Sequence, residues 1–293
     1  MSFSQAAQFE QHVNNQLSKS LGAIPVLFPI LHELGVAQTI NRHSAGEEEV
    51  SHGTTVEILT LNRLMAPKPL YKVKGWMAET VLEDALDVSA EQMHDTRIGR
   101  TLDDLHPHLD AIWQDIAVQA VLKYDIDLRF IHYDITSVYF EGEYSESEKI
   151  AYGYSRDHRP DAKQVNLGVN VTSETGIPLG YRVLAGRTAD RTTPLENLKA
   201  LRSLLDRPEL AKRQRDFLLV SDRAMLGREV IVAYAEKQIR WLGPLNADGS
   251  LRDVMDSVSD KELEDHPLAY RPVNQPKDEP LRYHGMLRSA TIE

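Results

Sequence analysis

Between Thr101 and Lys123 the apolar residues Leu102, Leu105, Leu109, Ile112, Trp113, Ile116 and Ala120 recur at steps of three and four, the spacing that puts side chains on one stripe of an α-helix. Thr101, followed by Asp103 and Asp104, reads as the start of that helix, because a hydroxyl accepts from the free amides of a first turn and early carboxylates oppose the helix dipole. A second helical run spans Thr54 to Met65, behind a turn at Gly53. Two prolines in Ala66-Pro-Lys-Pro-Leu-Tyr71 then interrupt the pattern, since proline removes an amide donor and clashes with the preceding turn. Residues 1–127 therefore read as a domain of several short helices, a packing or dimerisation module.

Past Asp127 the period becomes that of strands. Leu128 to Phe140 is dense in β-branched and aromatic residues, and Gln164–Thr172 and Ile177–Ala185 are two more strands joined by a Glu-Thr-Gly turn, which together predict a hairpin. In Thr193-Pro-Leu-Glu196 the threonine reads as a helix cap, the proline as the first helical residue and the glutamate as the partner in a capping box, opening a helix to about Leu205. The apolar run Phe217–Ser221 predicts a short strand buried on both faces. A helix from Leu226 to Gln238 and a strand at Arg240–Leu242 complete the order β-β-β-α-β-α-β over 128–245, one mixed α/β domain. From Asn246 to Glu293 the chain turns polar and proline-bearing with no clear helix, and Arg282–Glu293 looks strand-like.

Composition narrows the chemistry. With 293 residues, 42% of them hydrophobic, there is material for two cores of ordinary size. No apolar run reaches membrane-spanning length, and the N-terminus lacks the basic-then-apolar order of a secretory signal, so a cytoplasmic address is expected. The absence of cysteine excludes disulfides, thiolate metal sites and thiol nucleophiles, which leaves oxygen or imidazole as metal ligands. The net charge of −11 argues at first against nucleic acid. It hides an island, however: residues 149–240 carry 17 basic against 11 acidic side chains, while both flanks are acidic. That segment is either an anion-binding face or an uneven surface.

Two aspartates stand out. Asp134 lies inside the first strand, between residues that look apolar on both faces, where burying a charge without a partner is expensive. Asp222 follows the apolar strand Phe217–Ser221 and precedes a helix, the place where open α/β sheets gather ligands. Two such carboxylates suit a hard cation, Mg²⁺ first. Arg156, Arg159 and Lys163 precede the second strand, and Arg187, Arg191 and Arg223 sit at element ends; they either contact DNA phosphates or pair with Asp157, Asp161 and Asp190. His132 shares the strand face of Asp134, as a neighbour of the site or as a satisfied buried histidine. Tyr139, Tyr152 and Tyr154 read as packing residues or as base-stacking ones.

Four ordered motifs, Tyr133-Asp-Ile-Thr-Ser-Val-Tyr-Phe-Glu-Gly142, Gly153-Tyr-Ser-Arg-Asp-His-Arg-Pro-Asp161, Gly186-Arg-Thr-Ala-Asp-Arg-Thr-Thr-Pro194 and Val220-Ser-Asp-Arg-Ala224, resemble the catalytic region of DDE transposases from bacterial insertion sequences, in the IS-four-like branch with a β-rich insertion. The resemblance covers roughly Gly22 to Leu245, because Ser51-His-Gly53, Leu61-Asn-Arg63 and Pro69-Leu-Tyr71 also look like the helical domain ahead of that core. It implies a ribonuclease-H-like core, 128–245, after a helical DNA-binding or dimerising domain, 1–127, with the insertion starting in 246–293. Asp134 and Asp222 are then the first and second catalytic carboxylates, on adjacent strands, holding two Mg²⁺ or Mn²⁺ ions for phosphodiester cleavage and strand transfer. The partners implied are the element's terminal inverted repeats, target DNA and a second copy on DNA, in a nucleoid-associated setting. A third carboxylate, a Glu on a helix beyond the insertion, has no counterpart: Tyr283 is followed three residues on by Met286, and Arg288 lies five residues before Glu293. The chain is thus expected to be inactive alone. A non-catalytic, DNA-binding and dimerising remnant of such an enzyme is the alternative.

Overall fold

The computed structural model describes residues 19–44, 49–155, 158–213, 216–245, 249–272, 275–280 and 283–289. Helices α1 (Ile24–Glu33), α2 (Val36–His43), α3 (His52–Met65), α4 (Leu70–Ala78), α5 (Leu82–Leu86) and α6 (Asp95–Leu105) form the N-terminal region. They close over Ile58, Leu61, Val73, Met77, Leu82, Met93 and Ile98, none of which reaches solvent. Gly53 is not a turn but the second residue of α3, whose cap is Ser51, accepting from the Thr54 amide at 3.1 Å. A Cβ at Gly53 would stand 2.4 Å from the carbonyl oxygen of Ala37, so the glycine lets α2 and α3 cross in contact.

The single helix expected over 101–123 is two. α6 starts at Asp95, where the Nδ1 of His94 accepts from the Arg97 amide at 3.2 Å, and Thr101 is a buried interior residue rather than a cap. Pro107 sits in a tight turn, His106–His108, and α7 (Leu109–Lys123) begins after it. The stripe of apolar residues runs on past the break, which is why periodicity alone joins the two. α7 serves both regions: Gln119 donates to Thr39 at 2.8 Å and Asp115 meets His43 at 2.8 Å on one side. On the other, Trp113 donates to the Leu179 carbonyl at 3.1 Å and its ring meets Tyr181 edge-on.

The sheet contains β1 (Phe130–Phe140), β2 (Lys163–Thr172), β3 (Pro178–Ala185), β4 (Leu218–Ser221) and β5 (Arg240–Leu242) in the order β3-β2-β1-β4-β5, with α8 (Pro194–Leu205) between β3 and β4 and α9 (Arg228–Glu236) between β4 and β5. β2 is antiparallel to both neighbours, and β4 and β5 are parallel to β1. This is the mixed α/β sheet with flanking helices, preceded by a helical region, that the sequence leads one to expect. β3 to β4 and β4 to β5 are parallel crossovers stepping the same way across the sheet, so right-handedness places α8 and α9 on one face. There, with α7, they bury Ile131, Tyr133, Ile135, Leu219, Leu198, Leu201 and Val230.

α8 and α9 do not lie on the other face, where Tyr181 at the β3 edge meets Trp113 of α7, and β2 is inside-out across it. Its core side holds Gln164, Asn166, Gly168, Asn170 and Thr172, whereas Val165, Leu167, Val169 and Val171 point to the open side. The register sets these valines and leucine beside Val138, Thr136, Asp134 and His132 of β1. Phe130, Val138, Val183 and Leu242 are exposed on the same side.

Three further expectations change. Thr193 does not cap α8; its hydroxyl donates to the Asp190 carbonyl at 2.9 Å and accepts from the Tyr133 hydroxyl at 3.0 Å. β4 is not buried on both faces: Leu219 and Ser221 are buried, Leu218 and Val220 half-buried. Beyond residue 245 two short helices, α10 (Gly249–Asp256) and α11 (Asp260–Glu264), form where polar composition predicts none, the second capped by Ser259. Among the described residues there, strand-like pairing is limited to the bridge between Pro267 and His284. Arg282 and residues 290–293, within the strand expected at the C-terminus, lie outside the described residues. Among the described residues no helix is long and apolar enough to cross a membrane.

Candidate functional site

β1 and β4 run parallel in the register Phe130–Leu218 to Tyr133–Ser221. The next residue in each strand's course is an aspartate, so Asp134 and Asp222 emerge side by side at the carboxyl end of β4. Asp134 is exposed, not buried between two apolar faces, because it falls on the open side of an alternating strand whose buried residues are Tyr133 and Ile135. No compensating partner is needed for it. Each carboxylate accepts from the next backbone amide: Asp134 from Ile135 at 2.7 Å and Asp222 from Arg223 at 2.6 Å. Asp222 is extended and caps the turn Arg223–Met225. Both open into a depression of about 510 Å³ shared with His132, Thr172, Ser173, Gly176 and Val220. His132 is half-buried, and its Nε2 meets the Ser173 hydroxyl at 3.2 Å, so it borders the site rather than belonging to the core.

The strand that presents Asp134 is anchored from behind. Tyr133 is 1% exposed and its hydroxyl donates to Thr193; burial pushes that hydroxyl above the ordinary phenol range. Gly168 makes the room, since a Cβ there would lie 2.8 Å from the Tyr133 oxygen. Behind it, Tyr234 is pushed up to about 12 by burial.

Two carboxylates with one oxygen on a backbone amide and the other without a partner among the described residues are hard oxygen donors suited to Mg²⁺ or Mn²⁺. They fit part of a divalent-cation site. Among the described residues no three His, Asp or Glu side chains converge on one point, so these two would have to be joined by a further ligand.

The basic residues divide. Arg159 makes a bidentate pair with Asp161, closest at 3.0 Å, and lies over the Tyr139 ring at 4.9 Å, so the local-pair reading holds for it. Lys163 donates to the Glu143 carbonyl and lies over Tyr152. Arg187, Arg191 and Arg223 are exposed and make no ion pair among the described residues; Arg156 and Asp157 lie outside those residues. Tyr139, Tyr152 and Tyr154 are 41%, 60% and 83% exposed, which rules out core packing for them. Sequence reasoning missed Gln164 and Asn166. These buried amides tie the loop at Tyr154 to the loop at Gly186–Thr188, and the available signal was a run of polar residues at alternate positions of a valine-rich strand.

A family model described as "Domain of unknown function (DUF4277)" matches residues 16–118, well under half of the chain. No curated protein matches the sequence. Among solved structures, the chain is similar to Mos1 transposase in its paired-end complex with the left transposon end, at 14% identity over 67% of this chain and 60% of that one, with a TM-score of 0.29. It thus spans about 60% of the length of that protein. The Mos1 mariner paired end complex with Mn matches at 14% identity over 88% of this chain and 85% of that one, TM-score 0.29. The piggyBac transposase synaptic complex with hairpin DNA matches at 11% over 78% and 44%, TM-score 0.35. Likeness at this level assigns no role to any residue.

Proposed function

We propose that the chain carries the two aspartates of a DNA strand-transferring enzyme of the bacterial insertion-sequence kind, acting on the element's ends and on target DNA. The observation that carries this reading is the opening of Asp134 and Asp222, on neighbouring parallel strands, into one depression. Divalent ions bound there would supply an activated attacking oxygen and stabilise the departing one. Asp134 and Asp222 would hold them, each carboxylate oriented by its backbone amide, and the anchored Tyr133 would keep the Asp134 strand in place. Arg187, Arg191 and Arg223 would neutralise DNA phosphates beside the site, fixing register without reading sequence. The N-terminal region would bind DNA or a second copy, and residues from 246 on would begin an insertion into the core. The setting would be cytoplasmic, on the nucleoid.

The test is Mn²⁺ binding, read by water-proton relaxation, together with Mg²⁺-dependent nicking of labelled element-end DNA. The chain is expected to bind Mn²⁺ weakly, since two carboxylates hold an ion less firmly than three, and to leave DNA intact on its own. Asp134→Asn and Asp222→Asn should each lose the ion while still binding DNA. Unchanged Mn²⁺ binding in both variants would mean that the wrong aspartates have been chosen. A second reading, a non-catalytic DNA-binding remnant, is favoured by the missing third acid among the described residues; nicking restored by supplying a helix that carries that acid would exclude it.

A further inference from the structure

The second depression near the site is built as carefully as the first. Tyr154, Asn166, Arg187, Thr188, Asp190, Arg191 and Ala224 surround about 370 Å³. Its walls are two loops locked to each other by buried amides: Gln164 Nε2 donates to the carbonyls of Tyr154 at 2.8 Å and Gly186 at 3.2 Å, and Asn166 Nδ2 donates to that of Thr188 at 3.1 Å. The loops also touch through glycines. A Cβ on Gly153 would fall 1.8 Å from the Gly186 oxygen, and one on Gly186 would fall 2.2 Å from the Gln164 oxygen. A rigid frame of this kind presents an aromatic ring that is 83% exposed and two arginines free of ion pairs among the described residues. Asp190 is already engaged. Ala224, on the wall, follows Asp222 by two residues, so the depression abuts the carboxylate site.

The geometry points to a nucleotide subsite here, in which an unpaired base stacks on Tyr154 and its phosphate is held by Arg187 and Arg191. A flat exposed ring on a fixed loop suits a base face, and guanidinium groups suit phosphate. A single strand leading out of the carboxylate site would thereby be held open, its base out of the duplex. The identity of the ligand as DNA rests on the strand-transfer reading; the pocket and its parts do not.

The experiment is fluorescence anisotropy of a labelled mixed-sequence single strand with the 293-residue chain, in parallel with the same strand carrying abasic sites. Tyr154→Leu should weaken binding to the intact strand about 5- to 150-fold, the range of one base–aromatic stack, and leave binding to the abasic strand unchanged. Tyr154→Phe should bind as the parent. Arg187→Gln and Arg191→Gln should weaken binding to both strands and lower the slope of log affinity against log salt by about 0.7 each. Parent-like affinity in Tyr154→Leu, or equal loss on both strands, overturns the subsite while leaving the carboxylate reading standing. Mn²⁺ binding lost in Asp134→Asn with no single-strand binding by the parent also overturns it, whereas loss of Mn²⁺ binding in neither aspartate variant strikes the strand-transfer reading alone.

Discussion

Asn170 on β2 and Asn197 on α8 face each other in the core, 2% and 0% exposed, and exchange two hydrogen bonds: Asn170 Nδ2 to Asn197 Oδ1 at 2.7 Å, and Asn197 Nδ2 to Asn170 Oδ1 at 2.9 Å. Replacing Asn197 by Ala removes both bonds and leaves the Asn170 amide with an unmatched donor and acceptor. Each stranded group costs about 1–3 kcal/mol. Both residues line a cleft of about 350 Å³ beside Trp113, through which water can reach part of the amide, so the expected loss is the lower part of that sum, about 2–4 kcal/mol. Changing both residues together, Asn170→Val with Asn197→Leu, removes the polar groups as well as the bonds and should cost less than either truncation plus the other. The measurement is urea unfolding of the parent, both single Ala variants, the double Ala variant and the apolar pair, at constant slope. A coupling of about 1–3 kcal/mol between the two Ala changes is expected. Single costs that add within about 0.5 kcal/mol in the double Ala variant would refute the pairing and with it the account of why β2 turns polar residues inward.

Tyr133→Phe should lower stability by about 1 kcal/mol, since it deletes one buried bond while Thr193 keeps its bond to Asp190, and urea midpoints check it. Glu57 is 4% exposed, and burial, only partly offset by the Ala37 backbone and His32, raises its carboxyl above 4.5. A raised folded value means its favourable contribution is complete below the unfolded value and is lost as pH rises through the folded one, so Glu57→Gln should be more stable than the parent at pH 7 and show little difference below pH 4.5. Asp115 shows the opposite sign: burial works against its ionisation, but His43 and Arg207 hydrogen bonds outweigh it and hold the carboxyl below 3.8. Its stabilisation is present above that value and lost as pH falls through the lower folded one; Asp115→Asn should flatten acid unfolding in that range, which pH-jump fluorescence follows. Gly53→Ala should destabilise α2 against α3, because its Cβ would meet backbone rather than a movable side chain, and a melting curve like the parent's would contradict that.

Strands and helices were legible where one rule governed them. β1, β2, β3 and β5 fall within one or two residues of their sequence spans, since β-branched density and the Glu-Thr-Gly turn point the same way. Errors arose where two rules competed. The stripe from Leu102 to Ala120 hides Pro107 because a break of one turn returns the next helix to nearly the same face. Thr193 satisfies every local requirement of a cap, yet its hydroxyl is taken by Tyr133, sixty positions away in sequence, and no local pattern reveals that. Beyond 245, α10 carries Leu251, Val254 and Met255 at helical spacing, but over only eight residues in a polar stretch, and α11 is five residues long, too short for a period to be read.

The candidate site was legible by position but not by environment. Alternation alone puts Asp134 opposite Tyr133, but which side is the core depends on where the crossovers lay α8 and α9, and that is a property of the whole sheet. β2 sharpens the point: read as an isolated strand, its valines should be inside and its amides outside. The amides are inside because Asn197, Tyr154, Gly186 and Thr188 are there to meet them, and the valines are left facing the side on which Asp134 and Asp222 open. A sheet face with Val165, Leu167, Val169 and Val171 beside two carboxylates is too apolar to be a resting water surface and too acidic to be a simple core. The arrangement makes sense as a seat for an element that brings apolar contact along β2 and a cation-binding group at the end of β4. The same inversion that misleads strand-by-strand reading therefore supplies the structural reason to look on that face for the further ligand that the proposed two-aspartate site would need.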